Sequence, residues 1–204
     1  MNTWIVTRAA GVGAYVMLFS AVAWGLVATT ALVSKRIAKA TSVLLHQVLA
    51  SVGLALLAVH LGAILLDQFV DFDALDVMIP FRSDVRPVAV GLGVLAMYVA
   101  LVVLLTSWIR RALGTTWWRR FHVLATPAFA LALMHGMAVG TDTRRPWMWW
   151  MYVATALVIA FLLIVRALTE GVRPVRHERP AATPPRPDLQ PDRGRDAVGA
   201  SLRR

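Results

Sequence analysis

The 204-residue chain contains no cysteine. That excludes disulfides, iron–sulfur clusters, thiolate-ligated haem and zinc knuckles in any compartment, so redox chemistry here needs a bound cofactor held by other ligands. Acidic residues are scarce, 11 Asp and Glu against 21 Lys and Arg, and only 16% of the chain is charged while 58% is apolar. With a mean hydropathy of +0.65, this composition excludes an ordinary soluble globule. A net charge of +10 would suggest nucleic acid in a soluble protein, but here the basic residues sit at the ends of apolar runs, a pattern of membrane orientation rather than of nucleic-acid binding.

Charge is also missing from long stretches. Residues 9–34, 40–66, 87–109, 121–141 and 146–165 hold no Asp, Glu, Lys or Arg, and they run 26, 27, 23, 21 and 20 residues. About 20 residues at about 1.5 Å each cross a hydrocarbon core of roughly 30 Å. The expected fold class is therefore all-α: a polytopic membrane helix bundle of five transmembrane helices, near 9–34, 40–66, 87–109, 119–141 and 146–168, within a domain spanning 1–170. The first run is far longer than the 7 to 15 apolar residues of a signal peptide and is expected to be retained. Residues 171–204, with six of the ten prolines and eight arginines, form an expected disordered basic tail, suited to holding orientation at anionic headgroups or to docking a partner.

If the helices alternate, Lys35, Arg36, Lys39, Arg110, Arg111, Arg119, Arg120 and the tail share one side, whose loops hold no acid. Arg8, Arg82, Arg86, Arg144 and Arg145 share the other with Asp67, Asp71, Asp73, Asp76, Asp84 and Asp142. The positive-inside rule predicts an outside N-terminus and a cytoplasmic C-terminus in a cell membrane, plasma or inner. Trp4, Trp147, Trp149 and Trp150 mark the outer interface, Trp108, Trp117 and Trp118 the inner one, and Trp24 alone lies deep.

Four of the five histidines lie inside the spans: His46 and His60 on the second, His122 and His135 on the fourth. A lone intramembrane histidine is usually a hydrogen-bonded packing residue; two pairs on two helices that run in the same direction are a functional hypothesis. Depth pairs His46 with His122 and His60 with His135, two levels about 20 Å apart along a helix. No Asp, Glu or Cys lies in a span to complete a zinc site, whereas haem iron needs only two axial ligands, one from each helix, and an apolar surround. Bis-histidine ligation leaves no open position on iron, which suits electron transfer. Lys35, Lys39, Arg119 and Arg120 inside, and Arg82, Arg86, Arg144 and Arg145 outside, are either propionate partners or simple topology charges. The outer loop from Asp67 to Arg86 is read as interfacial, its Phe69, Phe72, Leu75, Met78, Ile79 and Phe81 resting on lipid, with its aspartates the alternative site for an acceptor.

One spacing resists. At about 100° per residue, fourteen positions bring His60 within about 40° of the face of His46, but thirteen leave His135 roughly 140° from His122. Pro127 lies between them, so a departure from ideal helix is predicted there.

These residues resemble the ferric reductase-like transmembrane domain family, which includes NADPH oxidases, ferric reductases and the haem membrane subunit of bacterial methionine sulfoxide reductase systems. The resemblance covers about 5–165 and rests on the paired histidine spacing, on Ser107-Trp-Ile-Arg-Arg-Ala-Leu-Gly114, Trp118-Arg-Arg-Phe-His122 and His135-Gly136-Met-Ala-Val-Gly140-Thr141-Asp142. His60-Leu-Gly-Ala-Ile-Leu-Leu-Asp-Gln-Phe-Val70, Ile79-Pro-Phe81 and Arg86-Pro87 through Gly91-Leu-Gly93 are similar to small standalone bacterial members. It implies two haem b groups, His46/His122 inner and His60/His135 outer, carrying electrons from a cytoplasmic donor outward. No dinucleotide fingerprint follows the fifth span, so the donor is expected to be a separate flavoprotein or membrane quinol, making the chain an oxidoreductase component. A quinol-oxidising cytochrome b subunit and a non-redox membrane scaffold are the alternatives.

Overall fold

The computed structural model describes residues 3–29, 38–67, 72–140 and 142–171. Among these, 86% are helical and none forms a strand. The elements are α1 (Thr3–Thr29), α2 (Lys39–Leu65), α3 (Ala74–Met78), α4 (Pro87–Trp108), α5 (Arg110–Leu113), α6 (Thr115–His122), α7 (Ala125–Val139) and α8 (Pro146–Gly171). Five helices are long and apolar enough to cross a membrane, with α6 and α7 together forming the fourth. Gly171, expected to open the tail, still belongs to α8; residues 172–204 with His177, and with them Lys35, Arg36, Phe69 and Asp71, lie outside the described residues.

Proline and glycine set the boundaries. Pro87 and Pro146 open α4 and α8, where a missing N–H costs nothing because the first turn has no carbonyl to meet it. Gly114, at φ 79°, separates α5 from α6 in a conformation that a side chain would resist. The fourth span thus begins at Thr115, earlier than residue 119. The first starts at Thr3 rather than residue 9 and takes Arg8 into the helix. Its charge is tolerated there because Arg8 forms an ion pair with Asp142 and lies over the Trp4 ring, 4.1 Å from its centroid.

α2 packs along α1, α7 along α4, and α8 closes against α1 and α7. The core of this last junction is Tyr15, Phe129, Met148, Tyr152 and Ile159. Tyr15 stacks on Phe129 at 5.8 Å, meets Tyr152 edge-on at 5.2 Å and donates its hydroxyl to Thr155 at 2.5 Å. Thr155 can only accept there, because its own hydrogen goes to the Met151 or Tyr152 carbonyl. Large apolar residues such as Leu157, Phe161 and Ile164 face outward, the arrangement lipid allows and water penalises.

At one end, here the acidic end, Asp142 also pairs with Arg145 at 3.1 Å, and Thr3 donates to Asp67 at 3.4 Å. Asp73 and Asp76 cap α3 and share Arg82 at 3.3 and 3.2 Å. Leu75, Met78, Ile79 and Phe81 of the same loop are exposed. The loop is fastened to α4 by Tyr98, whose hydroxyl donates to the Met78 carbonyl at 2.6 Å. Lys39 and Arg110 to Arg120 occupy the opposite, basic end.

Candidate functional site

Each of the four span histidines is half-buried, its ring turned against the neighbouring helix of its own hairpin. His46 donates from Nδ1 to the Ala21 carbonyl at 3.0 Å, and His60 donates to the Thr7 carbonyl at 2.8 Å. His135 donates to the Ala89 carbonyl at 2.7 Å. A carbonyl only accepts, so these contacts place the proton on Nδ1 and leave Nε2 as the nitrogen with a lone pair.

The three acceptors share one construction. Ala21, Thr7 and Ala89 each lie four residues before a glycine, namely Gly25, Gly11 and Gly93. In a helix the carbonyl at that position already accepts the glycine's N–H, and its second lone pair is reachable only where no side chain covers it. The histidine ring lies over that bare patch. A Cβ built on Gly11 would fall 2.9 Å from His60 Nδ1, and one on Gly93 would fall 2.6 Å from His135 Nδ1. At Gly25 the nearest atom, His46 Cε1, would be 3.5 Å away, an ordinary contact.

The fourth histidine follows the pattern with one change. Ser107 stands where a glycine would, and its hydroxyl donates to Val103, four residues earlier, at 2.7 Å. With its hydrogen committed there, the Ser107 oxygen accepts from His122 Nδ1 at 3.4 Å and from Trp118 Nε1 at 3.3 Å. The tautomer is again Nδ1–H. The Trp118 ring lies 4.9 Å from the His122 ring, tilted by 31°, and Arg110 lies over Trp118 at 4.4 Å.

Register explains the spacing that looked wrong. Gly11 and Gly25 are fourteen residues apart, as are Gly93 and Ser107, and as are His46 and His60; only His122 and His135 are thirteen apart. The helix departs from ideal between them. Pro127 has no N–H to offer the Val123 carbonyl, which instead accepts from Thr126 at 3.1 Å, while Leu124 donates to Phe121 at 3.0 Å. Val123 and Leu124 have ψ of −26° and −13°, close to 3₁₀ geometry. Each residue so wound turns about 20° further and rises about 0.5 Å more than in an α-helix, so two to five of them return roughly 40 to 100° of the deficit.

The rings of His46 and His122 come to 5.8 Å between centroids, with planes 64° apart. At that separation the two rings could hold one ligand between them. His60 and His135 lie nearer the acidic end, seated against the Thr7 and Ala89 carbonyls. The helices that carry the couples do not pack along one another, and they are the least covered: 11% of each span is buried, against 22 to 28% for the other three.

No three His, Cys, Asp or Glu side chains converge on a bare metal site among the described residues. The donor set is two imidazoles per level, which suits a ligand that brings its own equatorial donors. Of the cations considered as its partners, Arg82 and Arg145 are engaged by aspartates, Arg86 donates to the Ala138 carbonyl at 2.7 Å, and Arg120 lies over Trp117 at 4.8 Å. Lys39, Arg119 and Arg144 are exposed. Sequence reasoning missed the glycine cradles, Ser107 and the place of Trp118 beside His122; the signal for the cradles was the fourteen-residue spacing repeated on the first and third spans.

The fold and site define a class: a bundle with five helices able to cross a membrane, bearing four imidazoles seated by Nδ1 against neighbouring helices, two of which, His46 and His122, come within 5.8 Å. Comparison with family models, curated proteins and solved structures finds no match.

Proposed function

We propose that the chain is a dihaem b-type membrane electron conduit of the ferric reductase-like kind, with His46 and His122 holding one haem and His60 and His135 the other. The observation that carries this is the set of four Nδ1–H donors locked to neighbouring helices. It fixes the tautomer and leaves four Nε2 nitrogens unprotonated, as metal-ligating histidines require. Bound there, haem supplies a one-electron iron couple.

The protein's own part is positional. Gly11, Gly93 and Ser107 let the rings of His60, His135 and His122 seat against α1 and α4, while His46 seats over Gly25 with room to spare, and the apolar spans keep water from the levels between the ends. Held by His46 and His122 at one level and by His60 and His135 at the other, the group would exchange electrons rather than activate dioxygen. By the positive-inside rule the basic end faces the cytoplasm of a cell membrane, and electrons enter there from a separate flavoprotein or quinol and leave at the acidic end. The likeness in Ser107–Gly114, Trp118–His122 and His135–Asp142 supports the family assignment; it leaves open whether ferric ion is the acceptor.

One observation favours the quinol reading of the donor. A cleft of about 510 Å³, lined by Phe19, Ser20, Trp24, Val27, Leu49 and Phe161, opens beside the helix segment that cradles His46. Purified protein reconstituted in vesicles tests both routes. Reductant trapped inside should reduce an external acceptor only when haem is bound, and a short-chain quinol added to the bilayer should substitute for it if the cleft serves. Transfer at the same rate in haem-free vesicles would overturn the proposal.

A further inference from the structure

Three of the four histidines donate to a backbone carbonyl; only His122 donates to a side chain. The acidic-end couple has both of its bonds short, 2.8 and 2.7 Å, whereas the basic-end couple has 3.0 Å at His46 and 3.4 Å at His122. The Ser107 oxygen is also shared: it takes the Trp118 indole N–H at 3.3 Å while its own hydrogen is held by Val103. A hydroxyl at that length draws less on the imidazole N–H than a backbone carbonyl at 2.7 to 3.0 Å does. The more firmly Nδ1–H is held, the more basic Nε2 becomes, and the more the ferric state of a bound iron is favoured.

We infer that Ser107 is a positioning residue that grades the two sites, loosening the hold on His122 and so making the basic-end iron the more readily reduced of the two. This rests on the haem reading above. A glycine at 107 would create a fourth copy of the cradle, with Val103 open to His122 directly; the chain instead inserts one oxygen between them.

Potentiometric titration of the full-length protein, followed in the visible spectrum, tests this with three variants. In Ser107→Gly, His122 gains a direct carbonyl and the basic-end midpoint falls. In Ser107→Ala, the N–H loses its acceptor while Cβ still covers Val103, and the same midpoint rises. Ser107→Thr keeps the hydroxyl and holds the wild-type value. Each shift should be about tenfold in the ferric to ferrous ratio at fixed ambient potential, 59 mV for a one-electron couple. The second wave, from the acidic end, stays in place as an internal reference. Shifts of the same sign in Gly and Ala, or none in either, would overturn the role of Ser107 while leaving two haems in the spectrum. Wild-type protein that carries no haem would overturn the parent reading instead.

Discussion

Replacing Gly93 with alanine puts a methyl group where the His135 ring now lies. The new Cβ would sit 2.6 Å from Nδ1 and 2.7 Å from Cε1. Carbon contacts settle near 3.5 to 4.0 Å, so the ring must withdraw by about 1 Å. That retreat stretches the 2.7 Å bond to the Ala89 carbonyl beyond useful length, leaving a donor without its partner. Such a loss costs about 1 to 3 kcal/mol, or one to two powers of ten in affinity at the acidic-end site. Haem retention during competition with a haem-scavenging protein measures it, the two levels being separated by their midpoints. Two other glycines serve as controls. A Cβ at Gly25 makes an ordinary 3.5 Å contact and one at Gly62 meets nothing within 4 Å, so both alanine variants should retain haem as the parent does. If Gly93→Ala holds its acidic-end haem as firmly as Gly25→Ala does, the cradle is not what positions the ring.

His135→Ala should remove the acidic-end haem alone, halving the haem to protein ratio while the basic-end midpoint persists; loss of both would show that the levels are not separate. Pro127→Ala should restore the missing helical N–H and swing His122 away from His135, so one haem is lost although the helix gains up to about 3 kcal/mol of intrinsic preference, a split visible by comparing haem content with thermal unfolding. Arg8 and Asp142, both mostly covered, should couple by about 1 kcal/mol in a double-mutant cycle of Arg8→Ala and Asp142→Ala, read from unfolding in detergent.

The five spans were legible because charge is costly in lipid, so its absence over 20 or more residues marks them directly. The four histidines stood out for the same reason. The tightening around Pro127 was also foreseeable, since thirteen residues and one imino acid pose a phase problem that few local geometries solve. What the sequence hid depends on register. Gly11, Gly25 and Gly93 look like any small residues in a membrane helix, and they match histidines only once α1 lies antiparallel to α2 and α4 to α7. Ser107 read as one more residue of the third span and Trp118 as an interface marker, because nothing local links either to His122. Arg8 was taken for a boundary; its inclusion in α1 depends on Asp142, 134 positions away, and no periodicity reports that partner.

The haem content and axial ligation of the purified wild-type chain test the proposed electron conduit most directly. Two haems per chain, both low-spin with paired imidazoles in electron paramagnetic resonance, are expected. Protein that is colourless after expression with ample haem, or that holds iron with an open axial position, would contradict it.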